Sequence, residues 1–260
     1  MILDRILANK KKEIDRLKQK SGDHASGHAQ TKGGKFYRAL KNKSGIAVIA
    51  EIKRKSPSKG ILRKNFNPVD LAKQFEKSGA SALSVLTDKK YFGGSIEILK
   101  KVRKATRLPL LRKDFILDEA QVHETKAIGA DAILLIAAIL SPGQIAFLSR
   151  AALDLGLDVL YEVHTSKDLK KTLPLRPKLL GVNNRDLRTF EVDLKTTEKL
   201  SKKVPRGVLL VSESGIRNAA DILRLKKNGV KAVLVGESLM REKNPGSALK
   251  ILLRGTHGSR

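Results

Sequence analysis

The stretch IAVIAEIK at residues 46–53 decides the fold, because it joins an unbroken apolar run to a glutamate and a lysine near its end. A short continuous apolar run is typical of a parallel strand that is buried on both faces of its sheet. Seven similar runs follow it: ALSVLTD (82–88), LPLLRKDF (108–115), ADAILLIAAI (130–139), DVLYEVH (158–164), KLLGVNN (178–184), GVLLVSESG (207–215) and KAVLVGESL (231–239).

Amphipathic segments separate these runs, and several begin with an N-cap residue or a proline and end in glycine. Strands that alternate with helices in this number predict an α/β fold, a (β/α)8 TIM barrel that we place at residues 46–260. A doubly wound open sheet is the competing architecture. It usually has fewer strands, and the Gly-x-Gly-x-x-Gly turn after its first strand is missing here.

The first part of the chain precedes the strand pattern. An apolar stripe over residues 2–19 predicts a helix, and the polar, glycine-rich segment at 20–35 is interpreted as a mobile linker or loop. We therefore predict an N-terminal helical extension at residues 1–45.

Composition narrows the class of protein. The chain has 53 Lys and Arg against 26 Asp and Glu, a net charge of +27 that suits nucleic-acid binding or a surface that attracts small anions. Aromatic residues make up only 4% of the chain, so bases would have few side chains to stack on. We therefore expect no nucleic-acid partner.

The sequence also bears on membrane association, secretion, cysteine chemistry and metal binding. No apolar run is long enough to span a membrane and the N-terminus is charged, so we expect no membrane partner, no secretory signal and a cytoplasmic protein. The lack of cysteine excludes disulfides, thiolate ligands and a cysteine nucleophile. The histidines are scattered without metal-ligand spacing, so we expect no metal.

Charged or polar residues stand at the ends of five of the runs. Side chains alternate in direction along a strand, so those two residues apart point the same way. If the apolar members fill the barrel, the polar ones emerge at its carboxyl-terminal mouth, where the active sites of such barrels lie. The sets that share a direction are Ile49, Glu51 and Lys53; Leu111, Lys113 and Phe115; Leu160 and Glu162; Gly181 and Asn183; and Val211 and Glu213.

A polar residue can simply mark the end of a strand, and for one strand that interpretation is preferable. Lysines and glutamates gathered at one mouth are costly to bury unless they pair or take part in chemistry. Such clusters also shift pKa values towards those useful in catalysis, so the pattern favours an active site.

The last two runs lead into loops that suit a phosphate group. In this fold the loops after the seventh and eighth strands often bind phosphate through backbone N–H groups. Gly215 in SESGIRN and Gly236 in VGESLM let the backbone approach closely. Ser56 in KRKSPSKG and Arg185 in NNRDL are candidates to complete the site, although KRKSPSKG alone could be an ordinary basic loop.

Six motifs, in order, closely resemble the indole-3-glycerol phosphate synthase family of tryptophan biosynthesis: IAEIKRKSPSKG, LLRKDFI, LYEVH, GVNNRDL, VSESGI and LVGESLM. The resemblance spans essentially residues 1–255 and includes the extension, which covers the barrel mouth in that family. It implies a carboxy-lyase that closes the ring of 1-(2-carboxyphenylamino)-1-deoxyribulose 5-phosphate with loss of CO2 and water. It implies no cofactor, a small phosphorylated substrate as partner, and other tryptophan-pathway enzymes as candidate partners.

The resemblance also implies roles for individual residues. Lys113 would be the general acid of the condensation and Glu162 the base, while Lys53 would contact the substrate carboxylate and Glu51 would orient that lysine. The division of the dehydration among Glu51, Lys53 and Glu162 stays open. The remaining positions are Asn183, Glu213 and Ser214 for the sugar hydroxyls; Ser56, Arg185, Gly215, Gly236 and the backbone of Glu237 for the phosphate; and Phe92, Phe115 and Leu187 for the aromatic pocket.

Two other functions compete with this one. A ketose-forming isomerase barrel that also binds phosphate would want a cysteine near its first strand, and the chain has none. A basic protein that binds RNA or a membrane surface would not need the lysines and glutamates at the strand ends.

Overall fold

A closed barrel of eight parallel strands forms the centre of the computed structural model, which describes residues 2–21 and 33–255. β8 pairs with β1, where Ile49 lies opposite Leu234, and this pairing closes the barrel. The predicted TIM barrel is therefore confirmed, whereas most of the predicted linker lies outside the described residues. The strands are β1 (Ala47–Ile52), β2 (Ala82–Leu86), β3 (Leu110–Lys113), β4 (Ala132–Ile136), β5 (Asp158–Val163), β6 (Leu179–Asn183), β7 (Leu209–Glu213) and β8 (Ala232–Val235).

Helices surround the barrel, and a short hairpin, Lys55–Ser56 with Gly60–Ile61, follows β1. Within the described ranges, no helix has both the length and the apolar content needed to cross a membrane. The helices are α1 (Ile2–Ser21), α2 (Lys35–Lys41), α3 (Pro68–Lys77), α4 (Lys89–Phe92), α5 (Ile96–Ala105), α6 (Glu119–Ala127), α7 (Pro142–Asp154), α8 (Ser166–Thr172), α9 (Lys195–Ser201), α10 (Ala219–Lys227), α11 (Glu237–Arg241) and α12 (Pro245–Arg254).

Local sequence explains where several helices begin. The side chain of Asn67 accepts hydrogen bonds from the backbone N–H groups of Val69 and Asp70 at the start of α3. Ser141 and Gln144 form a reciprocal capping box at the start of α7. These caps satisfy backbone donors that have no partner inside the helix, which is why the helices begin at these residues.

The alternation of side chains along the strands is as predicted. Ile49, Leu111 and Leu160 belong to one buried apolar cluster inside the barrel. Their neighbours of opposite parity, such as Val48 and Leu110, belong to a second cluster that packs against the surrounding helices. The continuous apolar runs of the sequence follow from this arrangement, since both faces of each strand are buried.

The first two helices lie at opposite ends of the barrel. α2 lies at the amino ends of the strands, where the backbone N–H of Tyr37 donates to Asp158 at the start of β5 over 3.0 Å. α1 lies beside the carboxyl-terminal mouth, where Tyr91 of α4 donates its hydroxyl to the carbonyl of Arg5 over 3.0 Å.

The sequence pattern does not predict α2. This helix has only 7 residues, and Gly34 at its N-cap provides no side-chain hydrogen bond. Its buried Phe36 and Leu40 instead pack into the interior cluster of the barrel. Tertiary packing therefore stabilises a helix that has little local signal.

A buried ion-pair network attaches α1 to the barrel. Lys10 is only 2% exposed although it belongs to the basic segment of α1, because it lies between the buried Ile6 and Ile14 on one face of the helix. Its ammonium nitrogen lies 2.8 Å from Asp114 and 3.3 Å from Asp88, just beyond the ends of β3 and β2. Burial disfavours the charge of Lys10, but these carboxylates outweigh burial and raise its pKa above the ordinary value.

We predict that Lys10→Ala destabilises the protein, because it leaves the buried carboxylate of Asp88 without its lysine and removes one of the two cations beside Asp114. Removal of one member of a buried ion pair typically costs about 3–5 kcal/mol. Urea unfolding followed by circular dichroism measures the change. Lys18→Ala is the matched control on the same helix, because Lys18 is half exposed in its pair with Asp118, and its loss should leave the unfolding curve unchanged. Equal effects of the two substitutions would contradict this prediction.

Candidate active site

A cavity of about 610 Å³ opens at the carboxyl ends of the strands. The loops that follow the strands form its upper wall, so residues far apart in sequence meet there. All site residues predicted from the sequence line this cavity: Glu51, Lys53, Ser56, Phe92, Lys113, Phe115, Glu162, Asn183, Arg185, Leu187, Glu213, Ser214, Gly215, Gly236 and Glu237.

Lys113 lies between two buried carboxylates at the base of the cavity. Its ammonium nitrogen is 2.9 Å from Oε2 of Glu162 and 3.6 Å from Oε2 of Glu213. Both glutamates are almost fully buried, at 1% exposure each. Because Lys113 and Glu213 end β3 and β7 and Glu162 is the residue before the end of β5, closure of the barrel brings these charges together.

The electrostatics of this group keep the lysine charged. Burial disfavours the ammonium of Lys113, but Glu162 and Glu213 outweigh burial and raise its pKa above the ordinary value. Burial likewise disfavours the charge of Glu162, yet Lys113 lowers the pKa of this carboxyl to about 2. At neutral pH the pair is therefore an ammonium donor beside an ionised carboxylate, as an acid and a base require.

Glu213 has the opposite protonation preference. Burial and the negative charge of Glu162 raise its pKa to about 8. Among the described residues, neither of its carboxyl oxygens makes a hydrogen bond. Two adjacent carboxylates in a buried site do not both ionise readily, so Glu213 is mainly protonated at neutral pH and can donate a hydrogen bond.

A second lysine and carboxylate pair stands at the end of β1. The ammonium of Lys53 donates to Oε2 of Glu51 over 2.5 Å. Glu51 packs against Gly236 so closely that a Cβ at position 236 would lie 2.3 Å from the same oxygen. The glycine is thus required by the position of the carboxylate, and not only by the loop after β8.

Hydrogen-bond donors line the part of the cavity that is formed by the loops after β1, β6 and β8. Arg185 lies 3.1 Å from the carboxylate of Glu237 at the start of α11, and its backbone N–H donates to the side chain of Asn183 over 3.0 Å. Ser56 has a buried hydroxyl with no hydrogen-bond partner among the described residues. This region therefore offers donors to an anionic group.

The remaining wall of the cavity is apolar. The rings of Phe92 and Phe115 lie 6.2 Å apart between centroids and are tilted by 41°. Leu187 packs with them at the edge of the interior cluster. Such a surface suits a flat aromatic group, since tilted rings at this distance pack favourably.

Sequence reasoning missed several residues near this site. Lys59, Arg217 and Arg241 also line the cavity. Lys59 and Arg217 fall inside the motifs KRKSPSKG and SESGIRN, so a basic residue next to a glycine was an available signal. His164 lies 3.3 Å from Glu162 and follows it by two residues, and no sequence motif assigned it a role.

The described residues contain no group of three or more His, Cys, Asp or Glu side chains that could hold a metal ion. The chemistry of the cavity is instead that of lysines, carboxyls and hydrogen-bond donors. These groups can transfer protons and bind anions.

Protonation of Glu213 makes the stability of the free protein depend on pH. Its pKa is 4.5 in a model peptide and about 8 in the fold. The native state therefore binds more protons than the unfolded chain across this window, so stability falls as pH rises, by up to about 1.4 kcal/mol per pH unit. We predict that Glu213→Gln flattens this decline in urea unfolding experiments.

Glu97→Gln, on the exposed face of α5, serves as the control and should keep the wild-type pH profile. A Glu213→Gln profile that is parallel to the wild-type profile would contradict a raised pKa at this carboxyl.

Comparison with known proteins agrees with the motifs. The sequence profile of the family described as "Indole-3-glycerol phosphate synthase" matches residues 3–252. A protein of that name from Polynucleobacter asymbioticus is 48% identical to this chain, over 96% of this chain and 98% of its own length. One from Acetivibrio thermocellus is 45% identical, over 94% and 96% of the two chains.

Solved structures resemble the fold at low sequence identity. Tryptophan synthase subunit alpha from Legionella pneumophila has a TM-score of 0.62 at 16% identity, over 85% of this chain and 98% of its own. KGPDC from Streptococcus mutans has a TM-score of 0.64 at 12% identity, over 82% and 99%. These likenesses concern the barrel alone, whereas the profile and the relatives match nearly the whole sequence. The chain belongs to the indole-3-glycerol phosphate synthase family.

Proposed function

We propose that this chain converts 1-(2-carboxyphenylamino)-1-deoxyribulose 5-phosphate to indole-3-glycerol phosphate, CO2 and water, as a carboxy-lyase. The family to which it belongs supports this activity. The observation that carries the residue assignments is the partly buried Lys113, which lies between the buried Glu162 and Glu213 in the cavity.

Lys113 is the proposed general acid of the condensation. As the aromatic carbon that bears the carboxylate attacks the ketone, the ketone oxygen gains negative charge and needs a proton. An ammonium held by carboxylates can supply that proton and is oriented by the 2.9 Å contact with Glu162. Glu162, which stays ionised, is the proposed proton acceptor.

The pair of Glu51 and Lys53 is proposed to act on the substrate carboxylate and in the dehydration. Lys53 would bind the carboxylate until CO2 leaves and the ring regains its aromaticity. The hydroxyl then leaves as water, which needs an acid to protonate the leaving oxygen and a base to remove the N–H proton. Lys53 and Glu51 are in contact at 2.5 Å and can exchange a proton, and Glu162 is the alternative base.

The basic part of the cavity is the proposed phosphate site. Ser56, Arg185, Gly215, Gly236 and the backbone of Glu237 would hold the phosphate. The unpartnered hydroxyl of Ser56 and the guanidinium of Arg185 support this assignment. Because Arg185 pairs with the carboxylate of Glu237 in the free protein, phosphate would have to replace that carboxylate.

The other contacts would orient the rest of the substrate. Asn183, Glu213 and Ser214 are proposed to bind the sugar hydroxyls, and the protonated Glu213 can donate to one of them. Phe92, Phe115 and Leu187 would hold the aromatic ring.

The division of the chain into an extension at 1–45, part of which would cover the mouth, and a catalytic barrel at 46–260 stays a prediction. Action in the cytoplasm, contact with other tryptophan-pathway enzymes, and the lack of nucleic-acid or membrane partners also stay predictions.

We predict that Lys113→Ala lowers kcat by about 100- to 10,000-fold, the range that a positioned general acid contributes. The protein is incubated with 1-(2-carboxyphenylamino)-1-deoxyribulose 5-phosphate, and the fluorescence of the indole product is followed. Circular dichroism checks that the variant folds. Lys100→Ala, an exposed lysine on α5, is the control and should turn over like the wild type. A folded Lys113→Ala variant with wild-type kcat would refute the assignment of this lysine.

A further inference from the structure

The two oxygens of Glu162 face different cationic or donor side chains. Oε2 lies 2.9 Å from the ammonium of Lys113, and Oε1 lies 3.3 Å from Nε2 of His164. The side chain of His164 is 9% exposed, so this contact is shielded from water. His164 follows Glu162 by two residues and stands one position beyond the end of β5.

The backbone of His164 is held in place by the start of α8. Its N–H donates to the carboxylate of Asp168 over 3.2 Å, and the N–H of Thr165 donates to the same oxygen over 2.9 Å. Thr165 and Asp168 also form the capping box of that helix. The imidazole is thus carried by a rigid junction between β5 and α8.

The imidazole of His164 makes no hydrogen bond within the part of the chain that the structure describes. Buried polar groups are nearly always paired, and hydrogen bonds in active sites are often long before substrate binds. A nearby carboxylate, that of Asp186, already accepts the backbone N–H groups of Arg188 and Thr189.

We infer that His164 is a positioning residue, which donates its Nε2–H to Oε1 of Glu162 and fixes the plane of that carboxylate. With Lys113 on one oxygen and His164 on the other, rotation of the Glu162 carboxylate is restrained. This inference rests on the proposed role of Glu162 as proton acceptor. It adds a residue that does not line the cavity and acts only through Glu162.

Three substitutions separate the hydrogen bond from mere packing. His164→Phe keeps a ring but loses the donor. In His164→Gln the amide nitrogen lies as many bonds from Cβ as Nε2 does in histidine, so it can donate to the same oxygen. In His164→Asn the amide is one bond too short. His123→Phe is the control, because His123 lies on the half-exposed surface of α6, 3.7 Å from Glu119.

Steady-state kinetics is the first measurement. We expect His164→Phe and His164→Asn to lower kcat by about 10- to 100-fold with little change in KM, since a misplaced catalytic group costs that much. His164→Gln should recover most of kcat, and His123→Phe should have no effect. Wild-type kcat in His164→Phe, or equal kcat in the Gln and Asn variants, would overturn the inference.

A carboxyl titration of the free protein tests the contact without turnover. In 13Cδ-glutamate NMR, the ionisation midpoint of Glu162 should rise in the Phe and Asn variants and stay low in His164→Gln, because a lost donor disfavours the charged form. An unchanged midpoint in every variant would overturn the inference even if the enzyme is active. If the midpoint shifts in the Phe and Asn variants but the wild-type protein makes no indole product, the proposed function is refuted and the contact is supported.

Discussion

The contact of the Lys113 ammonium with the buried carboxyls of Glu162 and Glu213 is the interaction on which the site depends. These groups cannot stay charged in the interior unless each neutralises another. The barrel brings them together because β3, β5 and β7 end at the same mouth. Glycine also contributes, since a Cβ at Gly181 would lie 2.2 Å from Glu213. Lys113 thereby stays protonated and Glu162 ionised, whereas Glu213 holds its proton near neutral pH.

A second network of charged residues surrounds Asp114, next to Lys113 in the chain. Lys10 of α1 contacts Asp114, the residue that follows Lys113 in the chain. Asp114 also accepts a hydrogen bond from Thr87 and lies 3.3 Å from Arg112. The extension therefore does more than lie beside the mouth, because its buried lysine holds the end of the strand that carries Lys113.

The sequence allowed the barrel and the direction of the strand-end residues to be predicted, because both follow from a periodicity of two in short apolar runs. It also indicated which residues meet in the cavity, since their motifs occur in a known order. Three features escaped prediction for a common reason. Lys10 pairs with carboxylates that follow β2 and β3. The helix α2 packs against the amino-terminal end of the barrel. The observation that points to a role for His164 is its distance to Glu162. Each depends on tertiary contacts that local patterns do not specify. Lys10 alone left a trace, since it interrupts an apolar stripe.

The most direct test of the whole account is the stoichiometry of the wild-type reaction. The substrate is supplied with 13C in its carboxylate, and labelled CO2 and the indole product are measured together. The account predicts one CO2 released for each indole-3-glycerol phosphate formed. Folded protein that leaves the substrate unchanged, or that releases CO2 without forming the indole, would contradict it.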